Sequence, residues 1–375
     1  TVNAHGLEPD LKQCGIGTHQ FRGSIRIAGR HEDESRMNLK EFSRKLGLSQ
    51  TTVSRALSGY PEVKMETRER VAEAARKYGY HPNRAAIGLA TGRSGAIGII
   101  FRGGSEFGPH TSEFMGGLGT TLEKVGIDML LSTVDSREAE LATYRRLAAS
   151  KRVDAVILHT PAVEDDRIAL LSQLELPFIL HGRTRSQLPY HFMDIDNFGA
   201  IHSATKQLIS LGHERIAFIN GLTGRTFAED RDAGYRRAHE ESGIEVDPDL
   251  LGNGEFTDDM GFQIMSRFLA LSERPTAVLA GSMMSALGAM RAIRTGGLKL
   301  GQDVSLIAHD DVFPYISGDH MVPTVSVTRS SMRAAGVRIG EMLIDILSGE
   351  QTGWINEVWP VELVLRDSTG PAPSK

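Results

Sequence analysis

The stretch LGLSQTTVSRALSG, residues 46–59, decides how the front of this chain is read. Gly47 ends one short helix. Ser49 starts the next, its hydroxyl placed to accept from an otherwise unpaired backbone N–H of the first turn. Val53 and Leu57 lie four apart and face a core. That leaves Gln50, Thr51, Ser54 and Arg55 on the outer side and the N-terminal turns. Amide and guanidinium groups read base edges in a major groove, while hydroxyls and cations hold phosphates, so this is the chemistry of a recognition helix. A helical hairpin with a merely solvated polar face has the same pattern, and this stretch alone leaves both readings open.

Working outward, Leu39, Phe42 and Leu46 share one helical face before the stretch, and Val71, Ala74, Ala75 and Tyr78 do so after it, between Lys64 and Tyr78. Three helices in about 45 residues bury little core and suit an appended head. The net charge of −5 over 375 residues argues against a nucleic-acid partner, but the charge is uneven. Residues 37–93 carry 11 basic and 5 acidic side chains, a balance of +6; residues 94–375 carry 26 and 37, a balance of −11. A basic head on an acidic body confines phosphate binding to the head. Residues 1–36 show no sustained periodicity and are expected to form a flexible extension. Cys14 lies there as the single cysteine, which excludes a disulfide framework or cysteine metal site and leaves redox chemistry no evident part. No run reaches the roughly 18 apolar residues of a spanning helix, and the first residues lack a basic-then-apolar leader, so the cytoplasm is the expected location.

After Pro82 the pattern changes. AIGIIF, DMLLST, AVILH, PFILHG, RIAFIN, TAVLAG and VSLIAH each read as a fully buried strand, separated by helix-length stretches. Such alternation implies doubly wound parallel α/β sheets. About 280 residues exceed one core, so two lobes are expected, 94–190 and 191–322, with a hinged cleft between them. The strand VSVTR and the helix from Ser330 to Leu347 are expected to return to the first lobe. RDSTGPAPSK, residues 366–375, has no leucine heptad and reads as a flexible tail that cannot build a helical bundle, which favours a dimer.

The run MNLKEFSRKLGLSQTTVSRALSGYPEVKMETRERVAEAARKYGYHPNRAAIGLATGRSGAIGII resembles the head and hinge of LacI/GalR-type transcriptional regulators. TVSRAL, TRERV, GYHPNRAA and the IGII strand stand in that family's order and spacing, and the resemblance extends over about residues 37–365. It implies an all-α helix-turn-helix head at 37–81, a hinge helix and linker at 82–93, and at 94–365 a two-lobed, periplasmic-binding-protein-like α/β domain for effector binding and dimerisation. In the head it implies that Gln50 and Thr51 read bases, that Arg55 meets a base or a phosphate, and that Ser49, Thr52 and Ser54 meet the backbone. Asn83 to Ala90 matches the hinge helix that orders on DNA, with Leu89 as an apolar wedge in the minor groove. Gly88 departs from the pattern, at about 1 kcal/mol of helix propensity against Ala.

In the cleft the resemblance implies that Arg231, in RDAGYRRAH, forks onto ligand hydroxyls or a carboxylate, and that Asp310, at the end of VSLIAHDD, accepts from sugar hydroxyls. Arg102 and Phe107 after the first strand, His110 at the next helix start, Arg183 after PFILHG and a stacking Phe256 complete the expected set. His110 serves equally well as a packing or capping residue. Where the family commonly has Asn-Asp, GSMMSALGAM places Ser282 and Met283, which suits a sugar-like ligand with a larger or less polar portion. The opening LKEFSRKLGLSQTTVSRALSGYPEV looks most like the α-glucoside-responsive branch.

The expected protein is a repressor: a homodimer whose heads read half-sites of a near-palindromic double-stranded DNA operator, gated by a small saccharide. An α/β enzyme of sugar or nucleotide metabolism would carry a phosphate loop, dinucleotide fingerprint or nucleophile elbow. GGLGTTL, the nearest glycine cluster, follows helix-forming SEFM, and neither GxxxxGK[ST] nor GxSxG occurs. A solute receptor would share the cleft but have no basic head. No catalytic residue, metal or cofactor is expected.

Overall fold

The structure is a computed structural model that describes residues 37–57, 60–81, 92–103, 108–310, 312–349 and 351–374. The N-terminal extension, the hinge with Asn83 and Leu89, and Phe107 lie outside these residues. The chain divides into two compact units between Pro82 and Asn83.

In the first unit, α1 (Leu39–Leu46) opens on a capping box: Glu41 N donates to Asn38 Oδ1 at 3.0 Å and Asn38 N donates to Glu41 Oε2 at 3.3 Å. Gly47 ends it at φ 64°, left-handed backbone that glycine adopts without strain. The next helix, α2 (Gln50–Leu57), is capped by Ser49, whose Oγ accepts from Thr52 N at 3.0 Å. Beyond it lies α3 (Met65–Tyr78). Phe42, Val53 and Val71 are fully buried between the three helices. The stripe expected on α3 runs one residue too far. Tyr78 is 41% exposed with the Lys45 ammonium over its ring, whereas Tyr80, turned back by Gly79, stacks on Phe42 at 4.2 Å.

The second unit holds two sheets. β1 (Ala96–Arg102), β2 (Asp128–Val134), β3 (Ala155–Leu158), β4 (Phe178–His181) and β5 (His191–Ile195) build the first lobe with α4 (Pro109–Glu123), α5 (Arg137–Ser150) and α6 (Asp166–Gln173). The second lobe uses β6 (Ile216–Asn220), β7 (Leu251–Asn253), β8 (Ala277–Ala280), β9 (Ser305–Asp310) and β10 (Ser326–Arg329), with α7 (Asn197–Ser210), α8 (Thr226–Glu241), α9 (Asp258–Leu269) and α10 (Met283–Thr295). The chain then returns as α11 (Met332–Ser348), adds β11 (Asn356–Trp359) to the first sheet and β12 (Glu362–Val364) to the second. Sheet orders are β11-β5-β4-β3-β1-β2 and β12-β10-β9-β8-β6-β7. Every pairing is parallel except β10 with β12.

Four expectations need correction. The first crossing falls at Asp196 rather than before His191, because HFMDI pairs with β4 as a fifth strand of the first lobe. VSVTR stays in the second lobe, parallel to β9, and only the helix after it returns. There Gly117 and Gly336 let α11 lie directly on α4: a Cβ at either would come within 2.0 Å of a carbonyl oxygen of the other helix. Residues 366–374, read as a flexible tail, dock instead. Ser368 O accepts from Leu306 N and Ala372 N donates to Leu211 O, each at 2.8 Å, and Ser368 is fully buried. Small polar residues cap the lower strand ends through backbone and hydroxyl bonds, which requires no apolar periodicity. β2, read as a buried strand, is a sheet edge with Leu131 40% exposed.

Burial lowers the pKa values of His213 and His239 below the ordinary imidazole range, and does so more strongly for the half-buried His159, down to about 3. The unfolded chain protonates these residues first as pH falls, so the stability they contribute is complete above about pH 6.5 and is lost below it. For His159 the loss amounts to at most about 1.4 kcal/mol per pH unit down to its folded pKa. The melting midpoint of the body is therefore expected to be lower at about pH 5.5 than at about pH 7.5, and His213→Asn to reduce the difference. A flat or opposite dependence in scanning calorimetry contradicts this.

Candidate functional site

Two places collect the expected side chains, one in each unit. On the head, Ser49, Gln50, Thr51 and Arg55 are exposed and Thr52 and Ser54 half-buried, because Val53 and Ala56 take the core side of α2. Ser49 Oγ lies 2.8 Å from Thr52 Oγ1, so these two hydroxyls form one polar corner at the helix start. A hollow of about 390 Å³ runs from that corner to the start of α3, lined by Ser49, Thr51, Thr52, Arg55, Lys64 and Thr67 among others. Hydroxyls and the Arg55 and Lys64 cations, groups that hold phosphates, share this hollow with the Glu62 carboxylate. Lys64 and Thr67 were missed in the sequence because no periodicity marks a helix start.

In the body, a cleft of about 640 Å³ lies between the carboxyl ends of the two sheets, a volume within the range of ligand pockets. Arg102 lines it from the end of β1. Its Nε lies 3.1 Å from the buried Glu140 carboxylate, which also holds Arg137 at 2.7 Å and Arg167 at 3.0 Å. Beside this group burial pushes the Asp165 carboxyl up, but the Arg167 and Arg137 guanidiniums outweigh it and hold the carboxyl well below its usual range. His110, at the start of α4, packs edge-on to Phe313 at 5.0 Å and tilts against Phe256 at 5.9 Å. It lines the cleft and at the same time joins the lobes. Arg183, after β4, donates from Nε to Asp194 Oδ2 at 2.7 Å and from Nη2 to Asp230 Oδ2 at 3.1 Å. Burial raises the Asp194 pKa more than Arg183 lowers it. For Arg183 itself burial pulls down, and the Asp194 charge and hydrogen bond more than restore it, for a net rise.

Arg231 is 5% exposed on α8. Its Nε donates to Asn197 Oδ1 and its Nη1 to Gly281 O, both at 2.7 Å. The guanidinium lies 5.3 Å from the Phe227 ring centre and 5.9 Å from that of Phe256, within cation–π range. Asn197 and Gly281 both belong to the second lobe, so Arg231 is fixed within that lobe's side of the cleft. Gly221 makes room for this, since a Cβ there would come within 2.5 Å of the Phe227 ring.

The structure thus brings Arg102, His110, Arg183, Arg231 and Phe256 to one cleft. It does not bring Ser282. That residue is fully buried as the N-cap of α10, its Oγ accepting from Ser285 N at 3.1 Å. Cap geometry turns the hydroxyl back into the first helical turn, sends Met283 to the core and leaves Met284 on the cleft wall. Asp310 ends β9 opposite Arg329, and only its backbone lies within the description. Sequence reasoning missed Asp194 and Asn197, which lie in and just after a strand it did not identify, and Phe227. Spacing could have found Phe227, four residues before Arg231 on the same helix face. Among the described residues no group of three His, Cys, Asp or Glu could hold a metal ion, and no helix is long and apolar enough to cross a membrane.

A family model described as periplasmic binding proteins and sugar binding domain of LacI family matches residues 94–358, and one for bacterial regulatory proteins, lacI family, matches residues 38–83. The HTH-type transcriptional regulator AglR of Rhizobium meliloti (strain 1021) is 46% identical over 342 residues, 90% of this chain and 96% of that protein. Among solved structures, a transcriptional regulator CelR–cellobiose complex is 28% identical, with 89% of this chain and 100% of that one covered and a TM-score of 0.66. The lac repressor dimer bound to operator and the anti-inducer ONPF is 26% identical, with 89% and 99% covered and a TM-score of 0.76. The chain belongs to the LacI family of bacterial regulatory proteins, and it is a regulator rather than an enzyme.

Proposed function

We propose that this protein is a cytoplasmic transcriptional repressor that binds a near-palindromic operator as a homodimer and is switched by a small saccharide, an α-glucoside, in the cleft between its lobes. One observation carries the ligand class: a buried guanidinium packed beside two neighbouring phenyl rings, with the Arg183–Asp194 pair also on the cleft wall. Phenyl faces pack on the apolar C–H faces of a sugar ring, and charged groups satisfy its hydroxyls. Arg102, Arg183 and Arg231 meet hydroxyls, Phe256 stacks, and Asp310 accepts from the strand end. Met284 supplies the less polar edge assigned to position 283 in the sequence. The α-glucoside reading is supported by the opening that looks like that branch and by the similarity to AglR.

In the head, Gln50 and Thr51 read bases, Arg55 meets a base or a phosphate, Ser49, Thr52 and Ser54 hold the backbone, and the hinge with Asn83 and Leu89 bends the duplex. Isothermal titration of the full chain with maltose, trehalose and sucrose tests the ligand class, and absence of heat with every saccharide would sink it. Gln50→Ala is expected to cost about 1–3 kcal/mol at one base pair and to flatten preference there. In a binding assay over operator variants, an equal loss for every sequence would make Gln50 a positioning residue instead.

A further inference from the structure

Glu140, on α5 of the first lobe, is 1% exposed and meets the guanidiniums of Arg102, Arg137 and Arg167. A carboxylate buried this deeply persists only when it is paired. Two of the three cations already complete that pairing. Arg137 lies 2.7 Å from Glu140 and 3.0 Å from Asp165, and Arg167 lies 3.0 Å from Glu140 and 2.6 Å from Asp165. Two cations and two buried carboxylates thus close a neutral ring. Asp166, which Arg137 also reaches, is 62% exposed and keeps its water. The ring is anchored on several elements. Asp165 caps α6 by accepting from Arg167 N at 3.1 Å, Arg167 Nη2 donates to His159 O just after β3 at 3.1 Å, and the Tyr144 hydroxyl donates to Glu140 Oε1 at 3.4 Å.

Arg102 is the fifth member, and the ring does not need it for charge balance. Its Nε lies 3.1 Å from Glu140 Oε2, an oxygen whose second lone pair remains after Arg137 is served, and its side chain is 28% exposed on the cleft wall. The pair therefore does more for Arg102 than for the ring. We propose that Glu140 is a positioning residue for effector binding: the ring holds its carboxylate still, and that carboxylate fixes the Arg102 guanidinium at the carboxyl end of β1. A long side chain that is already fixed loses less rotamer freedom when a ligand arrives, so affinity gains. The gain in affinity rests on the proposed saccharide reading. The pairing of Glu140 with Arg102 does not.

Two arms separate them, both in the full chain. In heteronuclear NMR without ligand, the Arg102 Nε–Hε signal, assigned by its loss in Arg102→Ala, is expected to exchange slowly with water and to join the fast-exchanging exposed arginines in Glu140→Gln. A signal that this change leaves unmoved would overturn the pairing. In titration calorimetry with maltose, Glu140→Gln is expected to weaken binding at least about 10-fold, a span set by one contact to a charged group. In an Arg102→Ala background the same change is expected to alter affinity by less than about 2-fold, because its route to the ligand is already gone. An equal loss in both backgrounds would make Glu140 a structural member of the lobe and overturn the positioning role. Where Glu140→Gln does not fold, Glu140→Asp, which keeps the charge and draws the carboxylate back by one methylene, takes its place in both arms with losses in the same direction. No heat from the parent protein with maltose, trehalose or sucrose would count against the proposed function instead, and the NMR arm then judges the pairing.

Discussion

Arg231→Ala is expected to lower saccharide affinity by at least about 30-fold, the equivalent of about 2 kcal/mol or more, while operator binding without saccharide persists. Arg231 is 5% exposed and donates to Asn197 and Gly281, both in the second lobe. Removing it leaves two buried acceptors unpaired and two phenyl rings facing a void on the second lobe's wall of the cleft, a loss that falls on ligand affinity. Arg231→Lys keeps the charge but loses the planar fork, so it is expected to recover only a small part of the affinity. Titration calorimetry for the sugar and gel shift for the operator read the two effects separately. A sugar response at unchanged concentration would remove Arg231 from the site.

Phe42→Ala is expected to abolish DNA binding altogether. Phe42 is fully buried and stacks on Tyr80, and truncating a buried phenyl costs about 3–5 kcal/mol. A three-helix module of this size holds little more than that in reserve. The head is a separate unit with its own core, so the loss is expected to stay there. Calorimetry should show the body melting at its former midpoint, and gel shifts should show no complex. Retained operator binding would mean that the head core is not set by this ring pair.

These two residues also mark how far the sequence could be read. Phe42 and Arg231 stood in legible patterns, one in a helical stripe and the other in a family motif. Strands with five or six consecutive apolar residues were equally plain, because parallel sheets covered on both faces demand them. β5, β7, β11 and β12 were not, being three to five residues long and partly polar at sheet edges or crossings. Missing β5 hid Asp194 and Asn197, since a strand end must be located before its cleft-facing residues can be named. Ser282 failed for a different reason. A serine one step before a helix serves as cap or as ligand contact, and only the backbone course decides which; here it caps α10, and Met284 faces the cleft. The docked closing residues show the same limit, because hydroxyl and backbone bonds such as those of Ser368 leave no periodic trace.

The central claim is that a saccharide in the cleft controls the grip of the head on DNA. Its most direct test is fluorescence anisotropy of the full chain on a labelled operator, titrated with and without saturating α-glucoside. The proposed function predicts that operator affinity falls by about 5 to 150-fold with the sugar, the span of a typical coupling free energy, and that Arg231→Ala removes the difference. An operator affinity that is identical with and without a sugar shown by calorimetry to occupy the protein would contradict it.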